Sequence, residues 1–550
     1  MTEEIDPPYI TELIPDPAIT LPTSKDNASK IKEMAENEDS AAWNNMAILL
    51  INGRFFKKDV KKALELLIKA QKLSNPFATF NLGALYWAGE EVKADLFAAT
   101  HYFDLASQQG LPEGQNNFAN ILFTGKGVAQ NADKAVKLYN NSYKEGCMYA
   151  GYGLGIAAKH GLFMDKDLFA SARYFKSTAD LKHPASCYEY GMMLKKGEGI
   201  NPNPKHAIKF IKTAADKEFT PAEYTYAEMI MNNEVPDEEI ENAIPYFEQS
   251  AKKGYLPSMF KYAMVLKDGV GTDVDLPQAT KYFKECAERR IPEAMFHYGN
   301  LIFTGDAGYT DKEEGIRFIK SAADNRFFPA QYTYGKLICE GVPSVLPADT
   351  VHGAKYMRLA ADGGYAPAMF TYGYYLNNGI GVEKNPEMAV QYYRKAADNE
   401  FAPAQFNFAL ALDKGNGIRE DKASAASYYK AAADANVKEA MFNYGTMLIR
   451  GDGVEKNDRE AKEYFAKAAE LGEAKAMLAL GKLLREGGVG VPPDLEEAAE
   501  WMKKAADSGK ELAQYYYGLM LMRGEGVEQD ADEAAKYLKL CTNKVYGIEA

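Results

Sequence analysis

Apolar residues recur along the chain in short runs at three-and-four spacing, and each run is closed by glycine or by a polar cluster. One run, Ala440, Met441, Phe442, Tyr444, Gly445, Met447, Leu448 and Ile449, puts its apolar side chains on one face of a helix, and Gly451-Asp452-Gly453 stops it. Asn457 precedes a second run, Ala461, Tyr464, Phe465, Ala468 and Ala469, which ends at Gly472. The pattern predicts two short helices, the second capped by Asn457, with glycine at the left-handed position where a side chain is disfavoured. A single hairpin of this kind buries too little to fold alone.

Aligned on Gly445, the same small residue returns as Ala47, Gly83, Ala119, Gly155, Gly191, Ala227, Ala263, Gly299, Gly335, Gly373, Ala409, Gly481 and Gly518, making fourteen copies. From Ala47 to Gly335 the interval is 36 residues every time; only Gly335–Gly373 (38) and Gly481–Gly518 (37) differ. The extra residues fall at Gly341–Asp349 and Gly487–Asp494, which predicts loops. A fixed period in this range is the mark of an all-α helical-repeat solenoid.

Three further positions fix the predicted hairpin. Five residues before each anchor stands Ala, Gly or Ser, from Ala42 to Ala513, so paired helices can approach closely. Six residues after it stands glycine in thirteen copies, with Asn233 the exception, and asparagine tolerates the left-handed region best among other residues. Asp or Asn (Asp59, Asp95, Asn131 and so on to Asp530) stands where the second helix needs a cap, with Glu239 the one departure. The copy anchored at Ala227 thus breaks two rules, at Asn233 and Glu239. A softer joint is expected near residues 232–242, with a change of curvature.

At the ends, residues 1–23 are acidic and carry Pro7, Pro8, Pro15, Pro17 and Pro22, which predicts an extended, mobile, disordered tail. Residues 24–37 predict a capping helix with Ala28, Ile31 and Ala35 on its apolar face. The repeats then occupy 38–541, and 542–550 form a C-terminal tail.

Composition narrows the class. The chain is 47% apolar and 26% charged, as folded proteins are, and its net charge of −13 with no basic block argues against nucleic acid as a partner. Cys147, Cys187, Cys286, Cys339 and Cys541 share no repeat position, so no disulfide ladder is implied and a reducing compartment fits. MTEEIDPPYITELIPDP lacks the features of a signal peptide, and no run of 18 apolar residues occurs. The expected location is cytoplasmic, with no direct membrane insertion.

Catalytic motifs are absent. His101, His160, His183, His206, His297 and His352 show no metal-binding spacing, and Gly125-Lys126-Gly127 belongs to a turn, not a phosphate loop. Ser29–Lys32 and Ser427–Lys430 fit S-x-x-K without its companion motifs. No catalytic residue, cofactor or metal is expected.

Written out, the repeat reads A-x-F-x-Y-G-x-x-L-x-x-G-x-G-V-x-x-N/D-x-x-x-A-x-x-Y-F-x-x-A-A, clearest around Gly191, Gly373 and Gly445. It resembles the Sel-one-like repeat class of the tetratricopeptide superfamily, over about Ser40–Cys541. The resemblance implies a right-handed superhelical α/α solenoid and a non-catalytic scaffold or adaptor for protein or peptide partners, in signalling or complex assembly. It also implies that one face of the first helices lines a concave groove. On that face, two residues before the anchor, stand Asn45, Asn81, Asn117, Thr225, Lys261, His297, Thr333, Thr371, Asn407 and Asn443. Their donors and acceptors suit the main chain of an extended peptide. A weak hydrolase, as among cysteine-rich relatives, and a subunit of a membrane-associated quality-control complex are the alternatives the resemblance leaves open.

Overall fold

The computed structural model describes residues 9–162 and 164–545. Among these are twenty-nine α-helices; the first is Lys25–Glu36, and the other twenty-eight follow the two-helix order of the fourteen copies. Repeats are numbered here from the pair Ser40–Ile51 and Val60–Lys72. The chain forms two compact units, Met1–Asp275 and Leu276–Ala550. Within each, helices touch their neighbours in sequence, as an α-solenoid requires.

Local chemistry sets the helix ends. Asp59, Asn131, Asp311, Asn457 and Asp494 each accept the N–H three residues on at 2.9–3.1 Å, fastening the second helix at its start. Asn233 takes φ 56°, the left-handed conformation its glycine counterparts adopt. In the two longer loops the glycine behaves differently: Gly341 and Gly487 combine φ 72° and 74° with ψ 160° and 170°. There the chain closes tight turns through Val342–Leu346 and Gly488–Val491 bridges. Glu239 offers no side-chain cap, and the second helix of repeat 6 begins as a 3-10 turn, Ile240–Ala243, before Ile244–Lys252.

Packing depends on the small positions. A Cβ on Gly299 would lie 2.8 Å from the Gly315 carbonyl oxygen, so the two helices of repeat 8 meet backbone to backbone. Phe80, Phe103, Phe175, Phe247 and Phe283 are fully buried around such contacts. A ladder ties successive second helices together, and it went unread in the sequence. Tyr246, Tyr356, Tyr392, Tyr428, Tyr464 and Tyr537 donate to Asp216, Asp324, Asp362, Asp398, Asp434 and Asp507 at 2.6–3.0 Å. Most of these rings also meet a first-helix tyrosine edge to face, as Tyr372 and Tyr392 do at 5.0 Å. Burial, then the aspartate hydrogen bond, pushes Tyr246 and Tyr356 up to about 12.

The ends differ from the sequence expectation. Residues 9–23 are not a free tail, because Ile10, Ile14 and Asp16 are hydrogen-bonded to the first helices of repeats 3, 2 and 1; residues 1–8 lie outside the described residues. The last helix, Ala531–Val545, runs into the segment expected to be a C-terminal tail, of which 546–550 lie outside the described residues.

Candidate functional site

Three residues of the asparagine stripe hold main chain. Asn117 accepts the Ile10 N–H at 3.0 Å and donates to the Ile10 carbonyl at 2.8 Å. Asn81 does the same for Ile14, at 2.7 and 2.9 Å. Asn45 does so for Asp16, at 2.8 and 3.1 Å, and also donates to Ile19 O at 2.7 Å. A carboxamide presents one acceptor and one donor side by side, and so satisfies both polar groups of one residue irrespective of its side chain. The occupant is the chain's own N-terminal segment. It runs against the order of the repeats, meeting repeat 3 at Ile10, repeat 2 at Ile14 and repeat 1 at Asp16. Ser24 then caps the first helix.

The asparagines are wholly buried under this segment. Asn44 donates to Asn45 Oδ1 at 3.1 Å and Asn116 to Asn117 Oδ1 at 3.2 Å, which orients the two carboxamides. Side chains add selectivity. Tyr9 stacks on Trp87 with centroids 4.0 Å apart, and its hydroxyl lies 3.3 Å from Thr124 Oγ1. Ile10 is buried, and the buried Asp16 carboxylate accepts from Asn75 Nδ2 at 2.8 Å. Asn44, Asn75, Asn116, Trp87 and Thr124 were not among the stripe residues picked from sequence. The Asn-Asn pairs at 44–45 and 116–117 were the available signal.

The remaining stripe residues serve varied ends. In the first unit, Thr225 lies 3.3 Å from the Tyr188 hydroxyl and Lys261 pairs with Glu228 at 3.9 Å. In the second unit, His297 stacks on Phe283 at 5.1 Å, and Thr371 donates its hydroxyl back to Pro367 O at 2.9 Å. Thr333 is half-buried, as are Asn407 and Asn443, which face the Tyr393 and Tyr429 hydroxyls. Only Asn45, Asn81 and Asn117 are brought together on one bound segment.

No group of three or more His, Cys, Asp and Glu side chains among the described residues is placed to hold a metal ion. Nor is any helix among them long and apolar enough to cross a membrane. His183 caps the first helix of repeat 5, with Nδ1 accepting the Ser186 N–H at 3.3 Å, and burial pushes it down to about 4.

No curated protein matches the chain. Among solved structures, c5321, a protective antigen of uropathogenic Escherichia coli strains displaying an SLR fold, is 21% identical with a TM-score of 0.50, over 93% of this chain and 97% of that one. A Sel1 repeat protein from Oxalobacter formigenes is 23% identical with a TM-score of 0.44, over 58% of this chain and 94% of that one. These likenesses concern the fold. The Sel1 repeat family model matches residues 40–75, 76–111, 112–147, 149–183, 184–219, 256–289, 292–326, 329–365, 366–401, 402–437, 438–473, 474–510 and 512–540, passing over repeat 6. Members are helical-repeat scaffolds, typically non-enzymatic, that generally mediate protein–protein interactions. With thirteen matched repeats across most of its length, this chain belongs to the Sel1 repeat family.

Proposed function

We propose that this Sel1 repeat protein is a non-catalytic scaffold or adaptor that grips extended segments of partner proteins on the stripe face of its first helices. The observation that carries this reading is the clasp made by Asn45, Asn81 and Asn117. Each uses one carboxamide to hold the N–H and C=O of a single residue of a non-helical segment. Asn407 and Asn443 put the same carboxamide at the same repeat position in the second unit, where they face the Tyr393 and Tyr429 hydroxyls. A face that recognises main chain through asparagine tolerates varied sequences and takes its specificity from neighbouring pockets.

The reading is tested by replacing Thr333, Thr371, Asn407 and Asn443 with Ala together in the full chain. Partner proteins crosslinked to the wild-type chain and identified by mass spectrometry are expected to be lost, with helicity unchanged. An unaltered set of crosslinked partners refutes it.

A further inference from the structure

The first three repeats display what kind of segment such a face takes, and repeats 11–13 present the same positions without that segment. Tyr9 lies against Trp87, four residues after the anchor of repeat 2, and against Thr124, five after the anchor of repeat 3. The corresponding residues of repeats 12 and 13 are Ile449 and Glu486, and both line a cavity of about 540 Å³. Phe442, Phe465, Leu478 and Leu483 supply its apolar lining. At the stripe position of repeat 13 stands Ala479, which also lines the cavity, where repeat 3 has Asn117. The carboxamides that precede it, Asn407 and Asn443, stand in register with Asn45 and Asn81.

Charge selects the occupant further. Arg450, Lys475 and Lys482 line the same cavity and make no ion pair among the described residues; Lys482 Nζ rests 4.7 Å from the Tyr516 ring. Lys456 stands 3.8 Å from Asp458. The acidic lining residues are Glu486, which is exposed, and Asp458, which is 5% exposed. Asp458 accepts the Val489 N–H at 2.7 Å through Oδ2 and leaves Oδ1 without a hydrogen bond. This buried oxygen has the Lys456 ammonium at 3.8 Å, an ion-pair distance, but no hydrogen bond.

We infer that the face of repeats 11–13 binds an acidic, aromatic-bearing segment of a partner protein. Its main chain lies on Asn407 and Asn443, its aromatic ring enters the cavity beside Ala479, and its carboxylates face Arg450, Lys475 and Lys482. Asp458 Oδ1 accepts one N–H of the segment. The inference rests on the main-chain reading above and adds the partner's chemistry to it.

The test uses the full chain and a fluorescein-labelled synthetic peptide of the sequence of residues 2–17, which carries one tyrosine and five carboxylates. Fluorescence anisotropy is expected to show saturable binding. Lys475→Glu with Lys482→Glu, both solvent-accessible changes, weakens it about tenfold, as does high salt. Ala479→Trp, checked for unchanged circular dichroism, weakens it similarly by filling the cavity. A peptide with its acids replaced by amides binds more weakly to the wild-type chain. Binding that ignores these changes but is lost in Asn407→Ala with Asn443→Ala overturns the acidic, aromatic partner and leaves main-chain gripping standing. Binding lost only in Asn81→Ala with Asn117→Ala places the peptide on the first three repeats and overturns the inference. No binding to the wild-type chain refutes both the inference and main-chain gripping on this face.

Discussion

A carboxamide and an imidazole show how one buried side chain can carry a whole contact. Asn81 grips Ile14 through both of its polar atoms and donates to Asn44 Oδ1 at 2.9 Å as well. His183 holds one backbone N–H and lies edge-on to Tyr149 at 5.0 Å, and its burial keeps it neutral. Folded, it titrates near 4; unfolded, it returns to about 6.5. Between these values the unfolded chain binds a proton that the folded chain refuses, so stability falls as pH drops through the window. The loss reaches about 3 kcal/mol once both states are protonated. His183→Asn keeps a capping acceptor and removes the titration. Chemical denaturation of the variant is expected to lose that part of the pH dependence between 6.5 and 4, and an unchanged slope there would show that His183 is not its source.

At the scale of helices, what the sequence made legible was local. Caps such as Asp59 and Asn457 act three residues away, and the glycine stops act within one turn, so period and position sufficed to predict them. The N-terminal segment was misjudged because its partners lie up to 115 residues away, and because a main-chain grip leaves no mark in the gripped residues. Asn45, Asn81 and Asn117 were legible as a carboxamide row on one helix face. That they hold the chain's own segment was not, since Asn407 and Asn443 in the same row face tyrosine hydroxyls. The tyrosine–aspartate ladder was missed although five of its six rungs are spaced by 30 residues and the sixth by 32, because each partner alone resembles an ordinary surface residue. Repeat 6 joins both lessons. Its missing cap leaves Ile240–Ala243 as a 3-10 turn, while Glu238 is held by Lys212 Nζ and the Tyr226 hydroxyl at 3.0 Å each. Amide exchange at residues 241–244 is therefore expected to be faster than at 313–316, where Asp311 caps the helix. Glu239→Asp is expected to slow it and to stabilise by about 0.5–1 kcal/mol. Equal protection of the two segments in the parent chain would show that the cap is not what controls local opening.

Within each unit, stability is assembled from contacts between neighbouring helices, with the N-terminal segment as the long-range addition in the first unit. In such an array damage stays near its source, because repeats exchange energy only through shared interfaces. Gly299 offers a sharp place to apply it. A Cβ there meets Gly315 O at 2.8 Å and Ile319 N at 3.0 Å, and since both are backbone atoms no rotamer change relieves the clash. Gly299→Ala must push the helices Pro292–Thr304 and Lys312–Asp324 apart, at a cost of about 1–3 kcal/mol. Against this works the usual gain in helix propensity of alanine over glycine, about 1 kcal/mol, so the net loss is smaller than the strain alone. Hydrogen exchange read by mass spectrometry is expected to show protection falling in those two helices and their sequence neighbours, with the Ile10, Ile14 and Asp16 amides unchanged. Loss of protection at those three amides in the same variant would mean that the chain unfolds as one cooperative body rather than as an array of separately stable neighbours.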